Sequence, residues 1–78
     1  MDKMRLVFSD TLGISPEMVC DDLSFNKIRQ WDSVAHLALI AALEVAFDIF
    51  IDIQDVIDMS SFAKAKEIVA RYVEEKEQ

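Results

Sequence analysis

One stretch constrains this chain more than any other. Trp31-Asp32-Ser33-Val34 opens an apolar run that continues to Phe47, reading WDSVAHLALIAALEVAF. Asp and Ser favour a helix start because their side-chain oxygens accept hydrogen bonds from the first, otherwise unpaired amides. A helix is therefore predicted over Ser33–Phe47. At about 100° per residue, Leu39, Ile40, Leu43 and Phe47 fall on one side, with His36 in the middle and Ser33 at the edge. The opposite side carries Val34, Ala38, Ala41 and Val45, where a surface helix is normally polar. Such a helix is either buried on both faces or meets a partner with the second.

The rest of the chain reads as a small all-α protein. Asp2 to Leu12 is amphipathic, with Met4, Val7, Phe8 and Leu12 at helical spacing, a capping Asp2 and a terminating Gly13. A long connection follows, from Gly13 to Trp31, with one short turn predicted near Pro16–Val19. Connections of that length are functional or pinned in a small domain, and Leu23, Phe25, Ile28 and Trp31 are the expected pins. Beyond Phe47, the segment Asp48–Asp52 is expected to be an extended loop. Ile53–Asp58 is predicted as a short helix with Val56 and Ile57 inward. The last helix is predicted over Phe62–Glu75, capped by Ser60 or Ser61, with Phe62, Ala65, Val69, Tyr72 and Val73 inward. The predicted architecture is a small antiparallel four-helix bundle, three longer helices and one short one, with a long loop between the first two.

Composition closes off several classes. The 78 residues make one domain, 1–78, and 53% hydrophobic residues exclude disorder. One glycine and one proline argue against turn-rich β folds. A formal charge of −7 excludes a generic nucleic-acid binder and favours partners bearing Lys and Arg. Cys20 stands alone, so no disulfide forms within the chain, and a cytoplasmic location is the default expectation. No signal sequence is read at the start. The longest apolar run, Leu37–Leu43, falls well short of the roughly 18 residues a membrane span needs.

The motif Asp32-Ser33-Val34, then Leu37, Leu43-Glu44, Phe47 and Ile51, then Met59-Ser60-Ser61-Phe62, resembles the acyl and peptidyl carrier proteins. The three-residue motif is weak alone; the ungapped run from Trp31 to Phe62 is far more specific, and the resemblance extends over nearly the whole chain. It implies a stand-alone, phosphopantetheine-binding acyl carrier protein that is not itself an enzyme. Ser33 would receive a 4′-phosphopantetheine arm from coenzyme A through a phosphopantetheinyl transferase, and Asp32 would contact that transferase or its metal. The arm's thiol would hold acyl groups for ligase- and synthase-type enzymes of lipid, fatty-acid or specialised, polyketide-like biosynthesis. The implied protein is a cytoplasmic monomer. Two alternatives stay open: an aminoacyl or peptidyl carrier, and an unmodified helical interaction domain.

Other residues carry rival readings. Asp32 serves equally well as a plain helix cap. His36, one turn beyond Ser33, is either a half-buried helix residue or a contact for the arm and its cargo; a Ser–His catalytic pair lacks a third orienting group. Trp31 replaces the small residue that carriers usually show there, and either packs the loop down or joins a docking surface. The acidic run DIFIDIQD lacks the glycine and terminal glutamate of a calcium loop, so no dedicated metal site is expected. Cys20 reads as a small buried hydrophobe. Carriers of fatty-acid synthesis usually present an acidic second helix. Here Val34, Ala38, Ala41 and Val45 face outward with Glu44 beside them, so the expected docking surface is apolar.

Overall fold

The computed structural model describes residues 2–76. Met1, Glu77, Gln78 and the side chain of Asp2, expected as a cap, lie outside the described set. Four α-helices carry the described fold: α1 (Asp2–Leu12), α2 (Ser33–Phe47), α3 (Ile53–Asp58) and α4 (Phe62–Lys76). A single 3₁₀ turn, Pro16–Met18, interrupts the long α1–α2 connection. The bounds of α2 coincide with those read from its apolar pattern.

α1 packs on α2, and α2 meets α4. Met4, Phe8 and Leu12 of α1 are buried, as are Leu39, Ile40 and Leu43 of α2 and Phe62, Ala65, Ile68 and Val69 of α4. The seam on α4 is shifted from the expected one: Ile68 goes inside, while Tyr72 and Val73 are half-buried.

Two helices end by the same device. Gly13 takes a left-handed conformation at φ 67°, and the Ile14 amide donates to the Ser9 carbonyl at 3.0 Å. At the end of α2, Asp48 stands in the same conformation at φ 55°, and the Ile49 amide donates to Glu44 O at 3.1 Å. Both are Schellman-type ends, and Asp is among the few side chains that tolerate this backbone. Lys76 Nζ, 2.9 Å from Asp48 Oδ2, holds that carboxyl below its usual range through hydrogen bonding and charge.

The long connection is pinned as expected. Leu23 and Trp31 are buried, and Phe25 and Ile28 are half-buried against the core. A short antiparallel bridge, Ser24 to Ser61, staples the connection to the α3–α4 turn. It consists of Phe25 N–H to Ser60 O and Phe62 N–H to Leu23 O, both 2.8 Å. Trp31 packs edge-on to Phe8 at 5.4 Å between centroids, and Phe8 meets Phe62 at 4.9 Å. Its full burial rules out the reading of Trp31 as docking surface.

Two further expectations fail. Cys20 is exposed, because Val19 takes the inward position and a turn closes from Leu23 N–H to Cys20 O. Ile57, expected inward, is exposed: α3 is too short and too lightly packed to bury two apolar side chains, and Val56 takes the inner place.

Candidate functional site

The candidate site begins at the first residue of α2. Asp32 adopts extended backbone, and its Oδ1 accepts from the Ala35 amide at 2.9 Å while its carbonyl accepts from His36 N–H at 2.8 Å. Asp32 is therefore the helix cap. Ser33, at the first helical position, is exposed. The earliest amides of a helix lack partners within it and, with the helix dipole, favour an anion there. A phosphodiester on Ser33 Oγ would lie in that field, so these residues fit the group that the resemblance of the motif implies.

One turn further along α2, His36 is half-buried and bonded at both ring nitrogens. Trp31 Nε1–H donates to His36 Nδ1 at 3.0 Å, and His36 Nε2 lies 2.8 Å from the Val56 carbonyl. The neutral Nε2–H tautomer satisfies both contacts. Neither nitrogen is available to activate Ser33, which disposes of a Ser–His nucleophile. The imidazole stacks on Trp31, with centroids 6.0 Å apart, and meets the edge of Phe25 at 5.2 Å.

His36 also lines a cavity of about 220 Å³ together with Phe25, Val56, Ile57, Met59 and Ser60. The lining is largely apolar and belongs to α2, the long connection and the α3 region. No sequence signal announces this cavity: its walls come from segments far apart in the chain.

α3 is tied to α4 by a polar cluster. Arg71 Nη2 is 2.7 Å from Asp55 Oδ1, and the Tyr72 hydroxyl donates to Asp55 Oδ2 at 2.5 Å while accepting from Asp52 N–H at 2.9 Å. The Tyr72 hydroxyl first, then Arg71, hold the Asp55 carboxyl below its usual 3.8. Burial first, then the Asp55 carboxylate, push the Tyr72 phenol above its usual 10.0. A depressed carboxylate contributes stability that is present above the unfolded-state value and lost as pH falls through the folded one. Urea midpoints should therefore fall with acidification below about pH 4 in the native chain. Asp55→Asn should be less stable at neutral pH and flatter through that window; an unchanged acid slope would overturn the assignment.

The outward residues of α2 are where the helical wheel puts them. Val34, Ala38, Ala41 and Val45 are all exposed. Leu37, placed by the motif but given no face, is exposed beside them. Glu44 is half-buried, and its Oε2 accepts from the Ile51 amide at 3.0 Å, so it also holds the α2–α3 loop. Ser61, rather than Ser60, caps α4 by accepting from Lys64 N–H at 3.0 Å. Among the described residues no group of three or more His, Cys, Asp or Glu side chains is placed to hold a metal ion, and no helix is long and apolar enough to cross a membrane.

No family model matches the chain, and no curated protein does. Its helices and its long pinned connection form a helical bundle with the fold of the acyl carrier proteins. The solution structure of a holo acyl carrier protein from Geobacter metallireducens is similar, with a TM-score of 0.85 at 23% identity over 96% of this chain and 86% of that one.

Proposed function

We propose that this chain is an acyl carrier protein modified on Ser33. The observation that carries the proposal is an exposed hydroxyl on the first turn of α2, behind an aspartate cap, in an acyl-carrier-type fold. A phosphopantetheinyl transferase would direct Ser33 Oγ to the phosphorus that bears the pantetheine of coenzyme A. The new P–O bond forms as the pyrophosphate linkage breaks, adenosine bisphosphate leaves, and the hydroxyl proton passes to a base on the transferase. When bound, the 4′-phosphopantetheine arm supplies the thiol that holds acyl groups as thioesters. The Ser33 and Val34 amides would steady its phosphodiester, and Asp32, already fixed as the cap, would face the transferase and its metal.

The cavity one turn along α2 favours an acyl over an aminoacyl cargo. Its lining is mostly apolar, and a charged amino group would find only His36 and Ser60 as polar side chains. The outward strip of Val34, Ala38, Ala41 and Val45, with Glu44 at its flank, is read as the docking face for the transferase and for ligase- or synthase-type partners. A dedicated partner set in lipid or specialised biosynthesis in the cytoplasm suits so apolar a face.

Incubation with coenzyme A and a broad-range phosphopantetheinyl transferase, followed by intact mass measurement, tests the proposal. One phosphopantetheinyl group should be added to the native chain and none to Ser33→Ala. No gain, or a gain that persists in Ser33→Ala, overturns it. Loading the product with acyl or aminoacyl ligases then separates the two cargo classes.

A further inference from the structure

α3 is held by polar ties and the half-buried Val56 rather than by any fully buried residue. It bears Ile53, Val56 and Ile57, yet none of its residues is buried, and its cap residue Asp52 makes no side-chain cap bond. On one flank the Asp55–Arg71–Tyr72 cluster joins it to α4. On the other, the hydrogen bond from His36 Nε2 to the Val56 carbonyl, 2.8 Å long, joins it to α2. That bond is aimed from behind. Trp31 is fully buried and cannot turn, and its indole N–H occupies His36 Nδ1, which leaves the Nε2 proton pointing at α3. The same imidazole, Val56 and Ile57 wall the 220 Å³ cavity, and fully buried Met59 forms part of its lining.

We propose that His36 is a positioning residue that latches α3 over this cavity and so limits the acyl chains that the carrier shelters to short ones. The proposal rests on the carrier reading of Ser33. With the latch closed, the Val56 wall is fixed between α2 and α4. A chain that needs more room than about 220 Å³ gains it when α3 swings away on its Asp55 ties, which breaks the His36–Val56 bond. Segments held by few buried contacts open locally at low cost, so one such bond decides how often this one does.

Hydrogen exchange on the unmodified chain tests the latch without any cargo. His36→Phe keeps a flat ring but loses both bonds. It should speed exchange of the Val56–Met59 amides by about fivefold to tenfold more than that of the Phe8 and Val69 amides. A uniform change across helices means a merely structural role and overturns the latch. If that variant fails to fold, the ¹⁵N shifts of the native imidazole decide: a neutral Nε2–H tautomer is expected, and an Nδ1–H tautomer overturns the arrangement. On the loaded protein, hydroxylamine should cleave a dodecanoyl thioester several-fold faster than a butanoyl one, and His36→Phe should collapse that ratio. Equal rates in the native chain, or a ratio that His36→Phe leaves intact, defeat the cargo limit. If Ser33 accepts no arm at all, the carrier reading fails, and the exchange experiment still decides the latch.

Discussion

Trp31→Ala is expected to lower the stability of this protein by about 3–5 kcal/mol, a large part of what a domain of this size holds. Trp31 is 0% exposed and joins three parts of the molecule. Its ring meets Phe8 of α1 edge-on and lies 6.2 Å from Phe25 of the long connection, and its indole N–H reaches His36 of α2. Its carbonyl accepts from Asn26 N–H at 2.8 Å, closing the last turn of the connection against the start of α2. Truncation therefore leaves a cavity and strips His36 Nδ1 of its donor together. Trp31→Phe separates these effects: most of the ring contact stays, the N–H is lost, and about 1–3 kcal/mol should go with it. Urea denaturation followed by far-ultraviolet circular dichroism measures both, since Trp31 is the only tryptophan. A loss below about 1 kcal/mol for Trp31→Ala would mean that the connection is pinned elsewhere.

What could be read in advance follows the range of the forces involved. α2 was legible to the residue because its signals are local: an Asp oxygen three residues from the amide that it caps, and apolar side chains at helical spacing. The pinning of Leu23 and Trp31 was legible for a related reason, since large apolar side chains in a short chain have nowhere else to go. The arrangement around His36 was not. Its two partners are a loop tryptophan and a carbonyl 20 residues further on, and neither spacing is a pattern. Asp55 likewise meets Arg71 and Tyr72 across 16 and 17 positions, and in the sequence it was one more member of an acidic run. Cys20 and Ile57 lie outside, against expectation, because composition says which residues prefer the interior, not which ones a short turn or a six-residue helix can deliver there. Ser33 is the limiting case. Its residue type is what any helix start would show, and only the wider run from Trp31 to Phe62 suggested a tether.

Ala38→Glu and Val45→Glu should each cut the efficiency of Ser33 loading by a broad-range transferase at least about tenfold, while leaving stability within about 0.5 kcal/mol of the native value. The reason is the surface these residues share. Val34 is 78% exposed, Leu37 65% and Val45 84%, with exposed Ala38 and Ala41 between them, at spacings that place all five on one helical stripe. Phe50, 90% exposed, continues the apolar surface in the loop beyond α2. A chain with a formal charge of −7 has ample carboxylate for solubility and for long-range steering, yet it keeps this stripe free of charge. Apolar area of this kind contributes to binding only when a partner covers it, so a buried carboxylate there is costly in the complex and harmless in the free protein. Docking through the stripe should also depend only shallowly on salt, because screening acts on the surrounding charges and not on the contact itself. Initial rates of Ser33 loading for the native chain and both variants, each taken across a salt series, distinguish the two modes. If loading falls steeply with salt while Ala38→Glu is loaded normally, the acids at the rim, Asp32 and Asp48 among them, carry the recognition and the stripe does not.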